Sequence, residues 1–395
     1  MKNLITIAIV STAGAALAQQ PWYEWDKLTG DWGGARTSLE DTGVTPFLYY
    51  DSIIASNVSG GISTGGEFAG QIYAGADLDL EKLVGWQGAM LKVSMVDRHG
   101  DSVSNEVGGI YDPMCIYGGQ VTYLYQLFIE QQIGDAWSLK FGRVSADNDF
   151  AKSPLYGYSL STAINGPIRA TLLENSLTSF PYAVWGARLK YQPCEEHQFQ
   201  LGAYQIGDSM WDYTEHGTDF SFRSDDGVSL IAQYDWRPDF NGRDARVFAG
   251  VINSFFDFTD FDGVGETDHL FRAYIHGEVE IIDDLTLFGM ATWSPHDEVA
   301  KTPVQLSCGA NIKGLIPGRE NDHTMAFITY GSISGDYADS VGADLDYEMV
   351  YELGHRVQLT PAFYVQPSVQ YVQRPGGSGD IDDAVVLGAW VGAAF

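Results

Sequence analysis

The stretch from Gln358 to the final residue, Phe395, constrains the fold of this chain more than any other. Between Gln358 and Val372, odd positions carry apolar or ring-bearing side chains and most even positions carry polar ones. After a turn at Arg374–Gly377 the alternation resumes and continues to Phe395. A period of two is that of a β-strand with one apolar face and one wet face. Strands this long would leave a soluble sheet with an adhesive edge, whereas a barrel closed in lipid has no edge.

The rest of the chain offers enough similar segments for a complete barrel. We predict sixteen strands, at 47–57, 67–81, 86–98, 120–133, 135–145, 182–193, 197–207, 227–238, 244–257, 268–282, 284–294, 303–316, 321–334, 345–357, 359–373 and 382–395. Their connections are predicted to alternate strictly between short turns and long loops, the long ones being 58–66, 99–119, 146–181, 208–226, 258–267, 295–302, 335–344 and 374–381. Outer-membrane barrels show this alternation and an even strand number. The predicted fold is all-β, a sixteen-stranded antiparallel transmembrane barrel over residues 46–395.

Charged side chains share one face of each clearly alternating strand. In 268–282, Arg272, Glu278 and Glu280 lie opposite Ile275. An Arg or Lys facing lipid at mid-bilayer costs about 2–4 kcal/mol, so the charged face is expected to line a water-filled lumen. Arginine supplies five fixed donors and carboxylates accept hydroxyl protons, which suits binding of neutral polyols. The predicted pore-lining residues are Lys92, Arg98, Arg188, Lys190, Arg272, Glu278, Glu280, Glu348, Arg356 and Trp390.

The longest predicted loop, 146–181, is the candidate constriction. Loops of this length in compact domains are usually functional or disordered, and the apolar residues within this one favour packing against the barrel wall. We therefore expect it to fold into the lumen and to present polar groups there. The candidates are Asp147, Asp149, Asn165 and Arg169.

The N-terminal region reads as a leader followed by a short segment outside the barrel. Lys2, an apolar run from 4 to 16 and the small residues around Ala18 predict a signal peptide over residues 1–18, cleaved near Ala18. Residues 19–45 are predicted to lie on the periplasmic side, with a helix at 37–42 ended by Gly43. The expected location is the outer membrane of a Gram-negative bacterium, with its lipid and the barrel assembly machinery as partners. A formal net charge of -30 argues against nucleic acid as a partner, and the oligomeric state stays open.

No cofactor is predicted, although two places offer metal-ligand chemistry. Asp260 and Asp262, with Glu266 and Asp268, supply oxygen ligands for incidental Ca²⁺ but lack the spacing of an EF-hand loop. Cys194 and His197 are too few for a structural zinc site. Cys308, on an apolar strand face, is expected to be a small buried side chain.

Several stretches resemble the carbohydrate-selective porin family typified by OprB. They are residues 28–44 (LTGDWGGARTSLEDTGV), 60–89, 141–156 (FGRVSADNDFAKSPLY), 314–322 and 351–395. The resemblance implies a sixteen-stranded barrel that passes sugars passively and is narrowed by an inward loop. One departure concerns the last strand, where the family often carries an arginine and this chain has Trp390. Its parity points inward, which exchanges a lumen cation for a ring.

The function that fits best is passive, carbohydrate-selective diffusion of mono- and disaccharides through an outer-membrane porin, without enzyme activity. One alternative is a general or charge-selective diffusion porin, and another is a structural barrel with a plugged lumen. A third is a secreted β-rich glycoside hydrolase, which needs two carboxylates about 5–5.5 Å or about 6.5–9.5 Å apart. With 52 acidic residues, such pairs are unavoidable and do not discriminate.

Overall fold

The structure, a computed structural model, describes residues 21–166, 169–172 and 174–395. The predicted signal peptide, residues 1–18, lies outside the described residues. Within them, sixteen antiparallel strands form one closed barrel in which each strand pairs with its neighbours in sequence and β1 pairs with β16. The predicted fold class and strand number are confirmed. The strands are β1 Val44–Gly61, β2 Gly65–Asp79, β3 Ala89–Gly100, β4 Val121–Ile133, β5 Trp137–Val144, β6 Val184–Tyr191, β7 His197–Ile206, β8 Gly227–Trp236, β9 Ala245–Thr259, β10 Glu266–Ile282, β11 Leu285–Trp293, β12 Val304–Lys313, β13 His323–Ser332, β14 Tyr347–Thr360, β15 Phe363–Gln373 and β16 Asp382–Ala394.

Short helices occupy the N-terminal segment and several connections. The α-helices of the described chain are α1 Ala35–Thr42, α2 Leu80–Val84, α3 Ser104–Val107, α4 Arg169–Leu172 and α5 Gly335–Val341. Single 3₁₀ turns lie at Trp22–Glu24, Trp32–Gly34, Ala146–Asn148, Pro154–Tyr158, Asp208–Trp211 and Pro375–Gly377. In the part of the chain that the structure describes, no helix combines the length and apolarity needed to cross a membrane. The predicted helix ending at Gly43 is α1, because Gly43 adopts φ 99° and caps it.

The period of two seen in the sequence separates the two faces of the barrel wall. On β10, Arg272 and His276 are fully buried on the lumen side while Ile275 is 51% exposed on the outside. On β15, Gln366 and Gln370 are buried and Val369 is exposed. Polar side chains therefore point inward and apolar ones outward, which is the arrangement that a barrel in lipid requires.

The predicted strict alternation of short and long connections is wrong at four places in the described chain. The connection between β1 and β2 is only residues 62–64, because both strands stay paired as far as Asn57↔Gly65 and β1 continues through bulges against β16 to Gly61↔Asp382. At the opposite end of the barrel, the connections 80–88, 237–244 and 314–322 are longer than tight turns, and the first of them contains α2. Glycines that look like a loop in the sequence are here accommodated as a bulged strand, where Gly60 and Gly61 adopt positive φ.

Cys308 is exposed, which corrects the expectation that it is buried. It lies on the same outer face of β12 as Leu306, which is 48% exposed. In a soluble sheet an apolar face covers a core, but in this barrel the apolar face is the outer surface.

Two connections fold into the lumen, at the end of the barrel opposite to the start of β1 and the end of β16. We call them inner loop 1 (residues 101–120) and inner loop 2 (residues 145–183), and their end of the barrel the loop end; the other is the terminal end. Both loops pack apolar side chains against inward-facing residues of the wall. One buried cluster contains Ile110, Met114, Leu160 and Ile164 from the loops with Ile53, Phe327, Val386 and others from the strands. The apolar core of the protein therefore lies inside the barrel.

Candidate functional site

Two carboxylates on β14 attach the inner loops to the wall. Glu348 accepts hydrogen bonds from the backbone amides of Ile110 (2.8 Å), Tyr111 (3.3 Å) and Gly376 (2.7 Å). The Glu348 side chain has no exposed surface, so inner loop 1 covers this residue, which the sequence predicts to line the pore.

Glu352, four residues further along β14, does the same for inner loop 2. Its carboxylate accepts from the amides of Leu160 (2.9 Å) and Ser161 (3.2 Å) and from two serine hydroxyls, those of Ser159 (2.9 Å) and Ser368 (2.8 Å). Residues four apart on a strand share a face, which is why one strand holds both loops.

Two of the predicted arginines, Arg272 and Arg98, also contact the inner loops. Arg272 is fully buried and donates to Asn175 Oδ1 of inner loop 2 (3.2 Å) and to the carbonyl of Thr302 (3.2 Å). Arg98 donates to Gln71 Oε1 (2.8 Å) and lies 4.9 Å from the ring centroid of Phe180. These contacts fix the loops at a defined height in the lumen, because a buried guanidinium needs acceptors for its donors.

Arg188 belongs to a buried ion network at the wall. It pairs with Glu130 (2.5 Å) and lies 3.4 Å from Asp149 of inner loop 2, which also accepts from Lys140 (2.8 Å). Asp149, predicted for the constriction, is therefore engaged by two cations of the barrel.

A further group of lumen residues places the cation Arg356 among aromatic rings. The guanidinium carbon of Arg356 lies 4.5 Å from the ring centroid of Tyr158, 4.1 Å from that of Tyr364 and 5.3 Å from that of Trp390. Arg356 also donates to Gln366 Oε1 (2.7 Å) and to the carbonyl of Gly157 (2.6 Å). Tyr158 and Gly157 come from inner loop 2, so loop and wall meet at this arginine.

Asp51 of β1 completes this group, the Arg356 cluster (Asp51, Tyr158, Arg356, Tyr364 and Trp390). Its Oδ1 accepts from Trp390 Nε1 (3.0 Å) and from the Tyr364 hydroxyl (3.1 Å). Trp390 thus points into the lumen as its parity predicts. Arg356 of β14 lies beside the Trp390 ring, so this part of the lumen holds both a cation and an aromatic ring. A half-buried arginine, a carboxylate and three rings provide donors, an acceptor and flat apolar surfaces in one place.

The other predicted lumen residues are dispersed. Lys92 pairs with Asp77 (2.8 Å) and Glu278 accepts from Ser153 (2.5 Å) and His276 (2.9 Å). Glu280 accepts from the amide of Asp284 (2.9 Å) in the turn at the terminal end. Lys190 is half-buried and makes no hydrogen bond or ion pair with any residue that the structure describes. The structure does not bring these four residues together.

Of the predicted loop residues, Asp147 accepts from the amide of Phe180 (3.0 Å) and Asn165 donates to the carbonyl of Ser159 (2.6 Å). Burial raises the pKa of Asp147. Arg169 begins α4 and is half-buried, and its side chain has no hydrogen-bond partner within residues 21–166, 169–172 and 174–395. Asp147 and Asn165 therefore shape the loop, whereas Arg169 remains available.

Asp112 of inner loop 1 was not anticipated from the sequence. It accepts from the Ser102 hydroxyl (2.6 Å) and the Met114 amide (2.7 Å), and burial raises its pKa to about 6. The nearby cations Arg169 and Arg98 oppose that rise. Tyr158, Tyr364 and Asp51 were missed as well; strand parity offers a signal for Asp51, but nothing in the sequence marks Tyr158 of the loop.

The residues considered as metal ligands lie at two separate places in the structure. Asp262 accepts from the amides of Val264 (2.7 Å) and Gly265 (2.8 Å), so its own turn uses it, and Asp260 accepts from Thr267 Oγ1 (2.8 Å). Ligand atoms of Cys194, Glu196 and His197 lie within 4.8 Å of one another on the connection between β6 and β7. Cys194 and Glu196 are exposed and His197 is half-buried, and three ligands are one fewer than a structural zinc site uses.

Comparison with known proteins identifies the family. A family model described as carbohydrate-selective porin, OprB family, matches residues 64–280 and 275–395. Porin B of Pseudomonas aeruginosa is 26% identical, covering 98% of this chain and 95% of that protein. The putative porin QuiX of Acinetobacter baylyi is 24% identical, covering 98% of each chain. The high-pH structure of Pseudomonas putida OprB shares the fold, with a TM-score of 0.89 at 23% identity over 94% of this chain and 99% of that one. The chain therefore belongs to the carbohydrate-selective porins of the OprB family, and it is a sugar-selective porin of the Gram-negative outer membrane.

Proposed function

We propose that this porin passes neutral mono- and disaccharides by passive diffusion and that the Arg356 cluster is its selective subsite. The observation that carries the proposal is the contact of one half-buried arginine with three rings, at distances of 4.1 to 5.3 Å. Rings favour the C–H face of a pyranose, and the arginine and Asp51 match its hydroxyls as donor and acceptor. A channel must also release its solute, and a small cluster of partly committed groups suits weak binding.

The anchoring of the loops supports the same proposal. Inner loop 2 contributes Tyr158 to the cluster while Glu352 holds the adjacent residues Leu160 and Ser161. The position of the ring is thus tied to the wall, which keeps the subsite preorganised for solutes. We propose that inner loop 2 is the constriction of the channel.

We further propose the orientation and maturation that the sequence predicts. The loop end faces the outside, the N-terminal segment lies on the periplasmic side, and the leader is removed near Ala18. The outward apolar face contacts outer-membrane lipid after insertion by the barrel assembly machinery. Mass spectrometry of the N-terminus of the purified outer-membrane protein tests the cleavage position.

Liposome swelling with mono-, di- and trisaccharides of rising size tests the substrate class. We expect rapid entry of mono- and disaccharides and slow entry of trisaccharides. Swelling rates that depend on size alone, with amino acids and other solutes of equal mass entering equally fast, would indicate a general diffusion porin. No swelling with any solute would indicate a plugged barrel.

Single-channel recording tests the role of the Arg356 cluster. Arg356→Ala is expected to weaken the sugar-dependent reduction of ion current by about tenfold, since a hydrogen bond from a charged donor is worth about 1.5–3 kcal/mol. The matched control is Lys190→Ala, which removes one lumen cation without ring contacts and is expected to leave sugar block within about twofold. Equal loss in both variants would show that the charge of the lumen, and not the cluster, determines selectivity.

A further inference from the structure

The LTGDWGG motif, residues 28–34, lies outside every strand and is not explained by the lumen subsite. It forms a turn in which Gly30, Gly33 and Gly34 have φ values of 60°, 69° and 96°. A Cβ on Gly30 would lie 2.8 Å from the indole ring of Trp25, so only glycine lets that ring pack on the turn. Asp31 Oδ1 accepts from the amide (2.9 Å) and hydroxyl (2.8 Å) of Thr37, which joins the turn to α1.

The turn and α1 line an open depression with a volume of about 760 Å³. Its lining includes Trp25, Lys27, Asp31, Trp32, Arg36 and Glu40, and we call this segment the N-terminal cradle (residues 25–40). The volume lies in the range of small-ligand sites, about 300–1,000 Å³. The lining thus offers two indole rings, two cations and three carboxylates, those of Asp26, Asp31 and Glu40, on one surface.

Arg36 is the most informative residue of the cradle. Its guanidinium carbon lies 4.3 Å from the Trp32 ring centroid and its Nη2 donates to Thr29 Oγ1 (3.3 Å). The side chain is only 7% exposed, yet its Nε finds no hydrogen-bond partner among the described residues. A buried donor without a partner is uncommon in native proteins, so the Arg36 guanidinium has hydrogen-bonding capacity that the described residues leave unused. Trp32 itself is 47% exposed, which leaves ring surface free.

The cradle is attached to the mouth of the barrel at the terminal end. The amide of Leu28 donates to the carbonyl of Ala394 (2.8 Å) at the end of β16. Lys27 Nζ lies 3.4 Å from the hydroxyl of Tyr49 and 4.8 Å from the centroid of its ring. Tyr49 shares the inward parity of Asp51 on β1 and stacks with Tyr73 at 6.3 Å. A solute that leaves the lumen along the wall at Tyr49 therefore passes Lys27 of the cradle.

We propose that the N-terminal cradle binds one neutral sugar ring, as a second subsite at the terminal-end mouth of the channel. Trp32 supplies a stacking surface, Arg36 a donor, and Asp31 and Glu40 acceptors for ring hydroxyls. The inference rests on the proposed function, because it assumes that sugars traverse the lumen. It adds a site outside the barrel wall that is distinct from the Arg356 cluster.

Sidedness of sugar block separates the two subsites. Full-length mature protein is inserted from one chamber of a planar bilayer, and glucose or sucrose is added to one side at a time. Trp32→Ala is expected to weaken block from the terminal-end side about fivefold, as loss of an aromatic contact does, and to leave block from the loop-end side within about twofold. Arg356→Ala is expected to weaken block from both sides.

The matched control is Trp22→Ala, which removes a 62% exposed indole of the same segment that does not line the depression. If Trp32→Ala reduces folded yield, Arg36→Lys keeps the positive charge, removes the guanidinium fork and is expected to weaken terminal-side block about threefold. The proposal would be overturned if sugar added on the terminal-end side blocked the wild type and the Trp32, Arg36 and Trp22 variants equally. The proposed function would be unaffected by that result. Absence of block in the wild type from either side would overturn the proposed function, and this inference with it.

Discussion

Replacing Glu352 with alanine tests whether a single wall residue holds inner loop 2 in the lumen. The Glu352 carboxylate is buried and accepts four hydrogen bonds, from the amides of Leu160 and Ser161 and from the hydroxyls of Ser159 and Ser368. Three of these donors belong to the loop. Its removal therefore acts on the contact between loop and wall and leaves the strand pairing of β14 unchanged.

The size of the effect follows from the donors that lose their acceptor. The two hydroxyls can rotate to other partners, but the two amides are fixed by the loop backbone. A buried donor left unsatisfied costs about 1–3 kcal/mol, so the loop contact is expected to weaken by about 2–6 kcal/mol. At about 1.4 kcal/mol per factor of ten, the lower bound of about 2 kcal/mol makes the detached loop about 30-fold more populated.

Single-channel recording of Glu352→Ala in symmetric salt measures this change. We expect larger mean conductance and added current noise, because the detached loop no longer holds Tyr158 beside Arg356, and a loss of sugar block for the same reason. Leu353→Ala is the matched control, since Leu353 is the next residue on β14 and is 52% exposed on the outer face. Conductance, noise and sugar block equal to those of the wild type in Glu352→Ala would show that the apolar contacts of the loop alone hold it.

Two further substitutions test other parts of the lumen. Asp112→Asn keeps the Oδ1 acceptor but removes a carboxylate whose pKa is raised by burial to about 6. Lowering the pH from 7 to 5 should therefore raise the anion preference of the wild-type channel more than that of the variant. The reversal potential in a salt gradient measures this preference, and an equal pH dependence in both proteins would refute the prediction. The pKa of Asp112 in the folded protein lies above its usual value of 3.8, so ionisation of Asp112 lowers the free energy of unfolding. This destabilisation is removed as Asp112 becomes protonated, and the protein is therefore expected to become more stable at this residue as the pH falls from about 6 towards 4. Arg272→Met leaves Asn175 and the carbonyls of Thr302 and Pro303 without their donor, and we expect the free energy of unfolding to fall by about 2–4 kcal/mol. The folded barrel should then convert to the unfolded band on gels at a lower temperature than the wild type. Ile275→Val, on the outer face, should convert at the wild-type temperature.

The sequence specifies the wall of this protein because the wall obeys a local rule. Side chains alternate between lipid and lumen with a period of two, so the inward position of Arg272, Glu352 and Trp390 and the outward position of Ile275 follow from parity. The strand number follows from counting such segments. Two errors arise where the local pattern is ambiguous. Gly60 and Gly61 suit either a loop or a bulged strand, and the face that carries Cys308 is equally apolar in a soluble core and in a lipid-facing wall.

Only the tertiary structure decides what the inward-facing residues do. Glu352 and Arg356 are both charged and face the lumen by parity, yet Glu352 is enclosed by inner loop 2 while Arg356 keeps partly exposed contacts with three rings. Their partners Leu160 and Tyr158 lie about two hundred residues away in the chain. Such pairings depend on where a long loop settles in the lumen, and that position is the sum of many buried contacts with no short-range pattern. The sequence therefore determines which side chains face water, and the folded loops determine which of them a sugar can reach.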